Sequence, residues 1–246
     1  MGDASVPLSP KLRDLLAVLL CHSDRTVSAD RLIDAMWPCV PPRTAAKTLQ
    51  GYIHHLRRAL GPGRLVFRPP GYMLVTRPGE LDADCFTGRI QSGRRAIAAG
   101  DAERGTLLIR EALDLWRGVP YDGQDHLQAV QAEAFRLTEL RLSAAEEWAE
   151  TALARRQHTD VACELYGIVA EYPFRERPRA QLMRALHAMG RTVEALEVGR
   201  EGRRRLADEL GLDPSPALQR LEHAILTHDP ALARPMPRPG RINNVA

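Results

Sequence analysis

The fold of this chain is decided by residues 41–75, which read PPRTAAKTLQGYIHHLRRALGPGRLVFRPPGYMLV. In the first half, apolar residues recur every three or four positions, which predicts a helix with one buried stripe. That stripe consists of Ala45, Leu49, Ile53, Leu56 and Leu60. A rotation of about 100° per residue places on the opposite face Arg43, Lys47, Gln50, His54 and Arg58. The pattern therefore predicts a helix with a basic solvent face.

A hairpin follows this helix. Gly61-Pro62-Gly63 ends the helix, because glycine tolerates a left-handed closing residue and proline cannot continue a helical ladder. Two short strands, Arg64–Arg68 and Tyr72–Val75, are joined by Pro69-Pro70-Gly71. A basic helix that leads directly into a basic hairpin is the layout of a winged helix. We predict that the helix lies in a DNA major groove with the hairpin as the wing beside it.

An ordinary solvated helix would show a similar polar face. Three observations favour nucleic acid instead. No Asp or Glu occurs from Val40 to Gly79, and the hairpin adds Arg64, Arg68 and Arg77 to the same neighbourhood. A second helix, Ala29–Met36, is capped by Ser28 just upstream, as a helix-turn-helix requires. The short extended segment Thr26-Val27-Ser28 before it is expected to pair with the wing strands.

The charge of the chain is unevenly distributed. Residues 1–80 contain 11 Lys and Arg against 6 acidic residues, whereas residues 81–246 contain 23 against 25. A cationic domain is attracted to the phosphate backbone through counterion release. We therefore expect a DNA-binding domain in residues 1–80.

Composition and motifs argue against several other classes. The longest apolar run, Leu15–Cys21, is too short to span a bilayer, and no secretory signal is present, so we expect a cytoplasmic, nucleoid-associated protein without a membrane partner. The cysteines are scattered without a CxxC pair, which favours small buried hydrophobes over metal ligands or disulfides. No catalytic constellation is present, so the sequence predicts no enzyme, no cofactor and no metal.

From Leu81 onward the pattern is helical throughout. Amphipathic helices are predicted at Asp82–Ala99, Asp101–Trp116, Leu127–Ala154, Thr159–Ala170, Arg175–Met189, Thr192–Glu209 and Ser215–Leu226. Ala162 and Ala195 begin corresponding helices about one tetratricopeptide period apart, so we predict a tetratricopeptide-like solenoid in residues 81–228, with a plain helical bundle as the alternative. The proline- and arginine-rich tail, residues 229–246, is expected to be disordered.

The segments VSADRLIDAMWP, TAAKTLQGYIHHLRRALG and FRPPGYML resemble the DNA-binding domain of the Streptomyces antibiotic regulatory proteins, an OmpR-type winged helix. LDADCF, EALDLWRG and RERPRAQLMRALHAMGRTVEALE resemble the bacterial transcriptional activation domain of the same family. The fold class expected is mainly α, with an N-terminal winged helix-turn-helix before an α-helical solenoid. The family's DNA-binding domain usually begins with a small sheet, whereas the nine residues before the first helix here are not strand-like.

The resemblance implies an activator of an antibiotic or secondary-metabolite gene cluster. It implies binding to direct repeats in double-stranded promoter DNA near the −35 element, beside a second copy of the protein. It also implies recruitment of RNA polymerase holoenzyme through the sigma factor. The regulatory sign is not encoded in the charge pattern, so a ligand- or peptide-responsive repressor with the same DNA-binding domain stays open. No phosphate-binding loop is present, which predicts a small member without an ATPase.

Carried over by position, the DNA-binding residues implied on the recognition helix are Arg43, Thr44, Lys47, Thr48, Gln50, Tyr52, His54, His55, Arg57 and Arg58. Those implied on the wing are Arg64, Arg68, Gly71 and Tyr72. Lys47, Gln50 and His54 are assigned to base edges, where lysine suits guanine acceptors and an amide suits adenine. Arg43, Arg57 and Arg58 are assigned to phosphates, and Arg68 at the wing tip to a minor groove.

Overall fold

The computed structural model describes residues 8–229 and 232. The first elements are the helices Pro10–Leu20 (α1), Ala29–Met36 (α2) and Ala45–Leu60 (α3) and the strands Val27–Ser28 (β1), Leu65–Arg68 (β2) and Gly71–Leu74 (β3). The later helices are Asp82–Ala98 (α4), Ala102–Leu113 (α5), Gln128–Ala154 (α6), His158–Glu171 (α7), Glu176–Ala188 (α8), Thr192–Arg205 (α9) and Pro216–Leu226 (α10). The mainly helical fold class with an N-terminal winged helix is confirmed.

The three strands form one antiparallel sheet in the order β1-β3-β2. Val27 pairs with Tyr72, and Leu65 pairs with Leu74. The predicted pairing of the segment before α2 with the wing is thereby confirmed. Ser28 ends β1 and caps α2, since its hydroxyl accepts the Arg31 amide at 3.3 Å.

The chain divides into two compact units. Unit 1 comprises Met1–Arg89 and Asp114–Arg141, and unit 2 comprises Ile90–Leu113 and Leu142–Ala246. The helices predicted from residue 81 onward are therefore divided between the two compact units. The predicted domain boundary at residue 80 remains a prediction about which segments act independently.

The core of unit 1 lies between α1, α2 and α3. Its fully buried side chains include Leu15, Leu19, Leu32, Leu49, Ile53 and Leu56. Leu127 and Val130, at the start of α6, belong to the same core and are 3% and 1% exposed. Next to them, the His126 ring lies 3.2 Å from the carboxylate of Asp14, a nearly buried residue of α1. Burial also raises the pKa of Cys21 to about 11. A hydrogen bond with Tyr121 opposes this shift, but its effect is smaller.

Unit 2 is built from helices that pack against their sequence neighbours, α7 with α8 and α8 with α9. Its centre holds Arg179, which is 2% exposed and donates to the Val198 carbonyl at 2.7 Å and the Pro173 carbonyl at 2.9 Å. Burial lowers the pKa of this arginine. A Cβ at Gly202 would overlap the guanidinium, so glycine there makes room for Arg179.

Helix ends differ from the predicted ones by more than one residue in two places. The helix predicted over Asp101–Trp116 ends at Leu113, three residues earlier, and Gly118 then takes a φ of 147° that suits glycine in a loop. The helix predicted to end at Glu209 ends at Arg205 and continues as a π-helical turn, Leu206–Leu210. Gly211 closes that turn in the left-handed conformation.

Two other predictions concern the chain as a whole. No helix among the described residues has the length and apolar character needed to cross a membrane. The tail predicted to be disordered, residues 229–246, lies outside the described residues except for positions 229 and 232.

Candidate nucleic-acid interface

Helix α3 presents the basic face that the sequence predicts. Its buried residues are Ala45, Leu49, Ile53 and Leu56. Its exposed residues include Lys47, Gln50, His54, His55, Arg57 and Arg58. Arg43 and Thr44 are also exposed, immediately before the first turn. Amides at a helix start and the helix dipole favour an anion, so these two residues lie where a phosphate would be stabilised.

Two predicted site residues serve partly to shape α3 itself. The Thr48 hydroxyl donates to the Thr44 carbonyl at 3.0 Å, within the first turn of the helix. Tyr52 is half-buried and packs against the unit 1 core. Its ring is stacked with Trp37 at a centroid distance of 6.4 Å. The Tyr52 ring therefore anchors α3 to the end of α2, on the side away from Lys47.

Arg57 connects the helix to the hairpin. Its Nε donates to the Leu65 carbonyl at 2.8 Å, and its Cζ lies 5.9 Å from the centroid of the Tyr72 ring. Leu65 is in the edge strand β2, so this bond occupies a carbonyl that the sheet leaves unpaired. The arrangement fixes the angle between α3 and the wing.

The wing combines exposed and buried predicted residues. Arg68 is exposed at the end of β2, next to the Pro69–Pro70 connection. Tyr72 is half-buried, and its ring meets that of Phe67 at 5.5 Å. Gly71 is buried, and a Cβ there would overlap the Val27 carbonyl. Gly71 thus permits the close approach of β1 to β3 and presents no side chain to a ligand.

Arg64 is held by an acidic neighbour. Its guanidinium lies 2.5 Å from the Glu80 carboxylate, and its side chain is 18% exposed. The hydrogen bond from Arg64, followed by that from the Arg77 amide, lowers the pKa of Glu80. The predicted wing cations are therefore unequal, since Arg64 is paired with a carboxylate and Arg68 is exposed.

The far end of the hairpin is tied to the α1–β1 loop. The Asp24 carboxylate accepts the Thr76 amide at 3.0 Å and the Thr76 hydroxyl at 2.5 Å. The hydroxyl bond, and after it the amide bond, lowers the pKa of Asp24. These bonds hold the base of the wing. Sequence patterns did not single out this pair because its members are 52 positions apart.

The sequence patterns also did not predict that Phe67, an aromatic residue of the wing, is exposed. Phe67 is 58% exposed, although Leu65, two residues before it in the same strand, is buried. Period-two alternation puts both side chains on one face of β2, but the core ends beneath Leu65. Exposure of Phe67 therefore depends on where the core stops, which the alternation alone does not indicate.

No group of three or more His, Cys, Asp or Glu suited to a metal ion occurs among the residues that the structure describes. Cys39 and Cys163 are exposed free thiols, whereas Cys21 and Cys85 are partly buried. The expectation that all four cysteines are buried is thus wrong for Cys39 and Cys163, which lie on the surface of a turn and of α7.

Comparison with known proteins identifies both parts of the chain. Residues 3–74 match the family model "Transcriptional regulatory protein, C terminal", and residues 81–226 match "Bacterial transcriptional activator domain". Together with the winged helix and its basic face, these matches define a DNA-binding transcriptional regulator. The chain belongs to the Streptomyces antibiotic regulatory protein family.

Similar proteins differ in length. The chain is 35% identical to the regulatory protein DnrI of Streptomyces peucetius, over 95% of this chain and 90% of DnrI. It is 41% identical to the regulatory protein AfsR of Streptomyces coelicolor, over 94% of this chain but only 23% of AfsR. A solved structure of Mycobacterium tuberculosis EmbR, in complex with a low-affinity phosphopeptide, matches with a TM-score of 0.81 and 34% identity. That match covers 92% of this chain and 61% of the EmbR chain.

Proposed function

We propose that this protein activates transcription of an antibiotic or secondary-metabolite gene cluster. In this proposal residues 1–80 bind direct repeats near the −35 element, with a second copy on the neighbouring repeat. Residues 81–228 contact RNA polymerase holoenzyme, including its sigma factor. The site of action is the cytoplasm, at the nucleoid.

The observation that carries the proposal is the exposed, carboxylate-free face of α3. Lys47, Gln50, His54 and Arg58 are all exposed there, and no Asp or Glu lies between residues 40 and 79. Counterion release by such a face gives affinity for DNA, while amide and lysine side chains read base edges. We assign Lys47, Gln50 and His54 to bases and Arg43 and Arg58 to phosphates.

The hairpin contributes a second contact region. Arg68 is exposed at the wing tip, where we place it in a minor groove. Arg57 is assigned to a phosphate with the part of its guanidinium beyond Nε, because Nε is bonded to the Leu65 carbonyl. The same bond keeps helix and wing at a fixed angle, which reduces the entropy lost when both contact one duplex.

Similarity to DnrI over 90% of that protein's length supports action as a short regulator with these two parts. The family description of residues 81–226 as an activator domain supports a positive regulatory sign. The alternative is a repressor that responds to a ligand or peptide and uses the same winged helix.

The deciding experiment is footprinting on promoter fragments of the source genome, with and without RNA polymerase holoenzyme. A protected direct repeat near −35 that polymerase strengthens is expected. Protection across the core promoter that excludes polymerase would support the repressor, and transcription with purified components would then fall on addition of the protein. Absence of salt-sensitive protection on every fragment would refute DNA binding by this face.

A further inference from the structure

Gly51 lies at the middle of the basic face of α3. The helix runs from Ala45 to Leu60, and a rotation of about 100° per residue puts Gly51 on the same side as Lys47, His54 and Arg58. Gly51 is exposed, and a Cβ built on it would meet no atom within 4 Å. The centre of the face is therefore bare backbone surrounded by long or aromatic polar side chains.

Nothing within the described chain requires glycine at this position. Gly51 lacks the positive φ that favours glycine at Gly61, and it lacks the close neighbour that excludes a side chain at Gly71 or Gly202. Glycine in a helix interior is unfavourable compared with alanine, because it loses more backbone freedom on folding. An alanine would fit the free protein and stabilise its helix.

We propose that Gly51 is a specificity-determining residue for DNA, and that its missing side chain forms a notch that receives the 5-methyl group of a thymine. The inference rests on the proposed binding of α3 in the major groove. A glycine on a recognition helix shortens the distance of closest approach between backbone and bases by the size of a Cβ group.

The position of the notch favours a base over a phosphate. Phosphates line the rims of the major groove, and base edges form its floor. Residues at the flanks of the α3 face, such as Arg43 and His55, point towards the rims when the centre of the face points to the floor. Gly51 is near that centre, between the turns that carry Lys47 and His54.

The chemistry of the notch favours a methyl group. Inside a helix the backbone N–H and carbonyl groups bond to each other, so the surface left bare at Gly51 is the Cα with its hydrogens and offers no strong hydrogen bond. The thymine 5-methyl is the apolar group that a base presents in the major groove. The polar residues around the notch suit the hydrogen-bonding edges of the adjoining bases.

The test uses the full-length chain and the promoter fragment on which the wild-type protein leaves a footprint. Gly51→Ala is expected to weaken binding about tenfold, the usual cost of one wrong contact in a site. Its salt dependence should equal that of the wild type, because the phosphate contacts are unchanged. Its melting temperature should rise.

Matched controls are available in two other helices. Gly88 in α4 and Gly167 in α7 are exposed, and a Cβ at either would meet no atom within 4 Å. Gly88→Ala and Gly167→Ala should raise the melting temperature as Gly51→Ala does, and they should leave DNA affinity unchanged. The three variants together separate helix stabilisation from DNA recognition.

A scan of the same fragment with deoxyuridine in place of each thymine identifies the partner base. At one position in each repeat, loss of the methyl group should weaken wild-type binding several-fold and strengthen binding by Gly51→Ala, so that the two proteins prefer opposite bases. Equal binding of wild type and Gly51→Ala would overturn the inference. A weakened Gly51→Ala that shows no reversal at any thymine would overturn it as well.

If the proposed function itself were wrong, the experiment would give a different result. In that case the wild-type protein itself would show no footprint. The inference about Gly51 is judged wrong only where wild-type protection is present, so the two failures are distinguishable.

Discussion

Many arginines of unit 2 face carboxylates, whereas those of α3 and the wing lie in a stretch of forty residues that contains none. In unit 2, Arg94 meets Glu147 at 2.8 Å and Arg184 meets Glu150 at 3.0 Å. Both kinds of surface are rich in arginine, but a paired arginine contributes little net field, and an unpaired one attracts phosphate. We therefore propose that the local count of acids, more than the count of bases, marks the DNA-binding surface.

The largest effect is expected where an arginine supports the fold. Replacing Arg179 by Leu should lower the free energy of unfolding by about 3 kcal/mol, because the carbonyls of Val198 and Pro173 lose their donor. Urea unfolding measures this. Arg177→Leu is the control, since Arg177 lies on the same helix, is exposed, and pairs with Glu146 at 3.4 Å. Equal stability of the two variants would show that Arg179 has no structural role.

The next effect concerns DNA affinity. Lys47→Ala combined with Arg58→Ala should weaken promoter binding about 100-fold and reduce the slope of log affinity against log salt by about one to two. Unfolding should be nearly unchanged, because both side chains are exposed. The control removes two exposed arginines of unit 2, Arg200 and Arg220, in the same way. If both double variants bound alike, the assignment of the site to α3 would be wrong.

A carboxylate introduced into the α3 face makes it resemble unit 2. Gln50→Glu should weaken binding about tenfold, since the new charge repels phosphates and the amide that suits adenine is lost. Fluorescence anisotropy at two salt concentrations measures the change. Gln91→Glu places the same charge on the exposed surface of α4 and should have little effect. Unchanged affinity for Gln50→Glu would contradict its assignment to a base edge.

Arg57 is expected to contribute both to the stability of the fold and to DNA binding. Arg57→Ala should lower the free energy of unfolding by about 1 kcal/mol, because the bond from Nε to the Leu65 carbonyl is lost. Its neighbour Arg58 provides the comparison, and Arg58→Ala should weaken DNA binding without a change in stability. Should Arg57→Ala unfold at the same urea concentration as the wild type, the helix–wing bond would not be stabilising.

The smallest effect tests the ion pair between Arg64 of the wing and Glu80. Glu80→Gln should strengthen DNA binding about two- to threefold, because the Arg64 charge is no longer neutralised. The pKa of Glu80 is lowered, mainly by Arg64, so its contribution to stability is present above the ordinary carboxyl range and is lost as pH falls through the lowered pKa. Stability measured against pH should therefore converge for the two proteins in acid. Weaker binding by Glu80→Gln would show that the pair positions Arg64 for DNA.

Local patterns predicted the winged helix well. The apolar stripe of α3 and the capping by Ser28 follow from spacing and cap residues within short stretches. The pairing of β1 with the wing was predicted from the winged-helix layout that these stretches indicate. The same rules place Lys47 and His54 on the exposed face, where they are found. The stripe, the cap and the pairing of the two wing strands depend on neighbours a few residues apart or on a single hairpin.

Features that depend on distant contacts were not predictable. Tyr52 packs towards the core because Trp37 is there to stack with, and Gly71 is buried because β1 approaches it. Helical spacing places Tyr52 at the edge of the polar face, so only the packed structure decides its side. The donors and acceptors around Arg179 likewise come from three separate segments, and no local pattern indicates them.

Leu127 and Val130 belong to the core of unit 1. This matters for engineering chimeric regulators, in which the winged helix of one protein is joined to the remainder of another. The winged helix is not a contiguous cassette, because its core includes Leu127 and Val130, which lie well beyond residue 80. A chimera joined at residue 80 would replace these side chains with those of the recipient. Transplanted specificity would then depend on whether the recipient offers apolar side chains of the same shape, so the junction should be chosen by matching this packing.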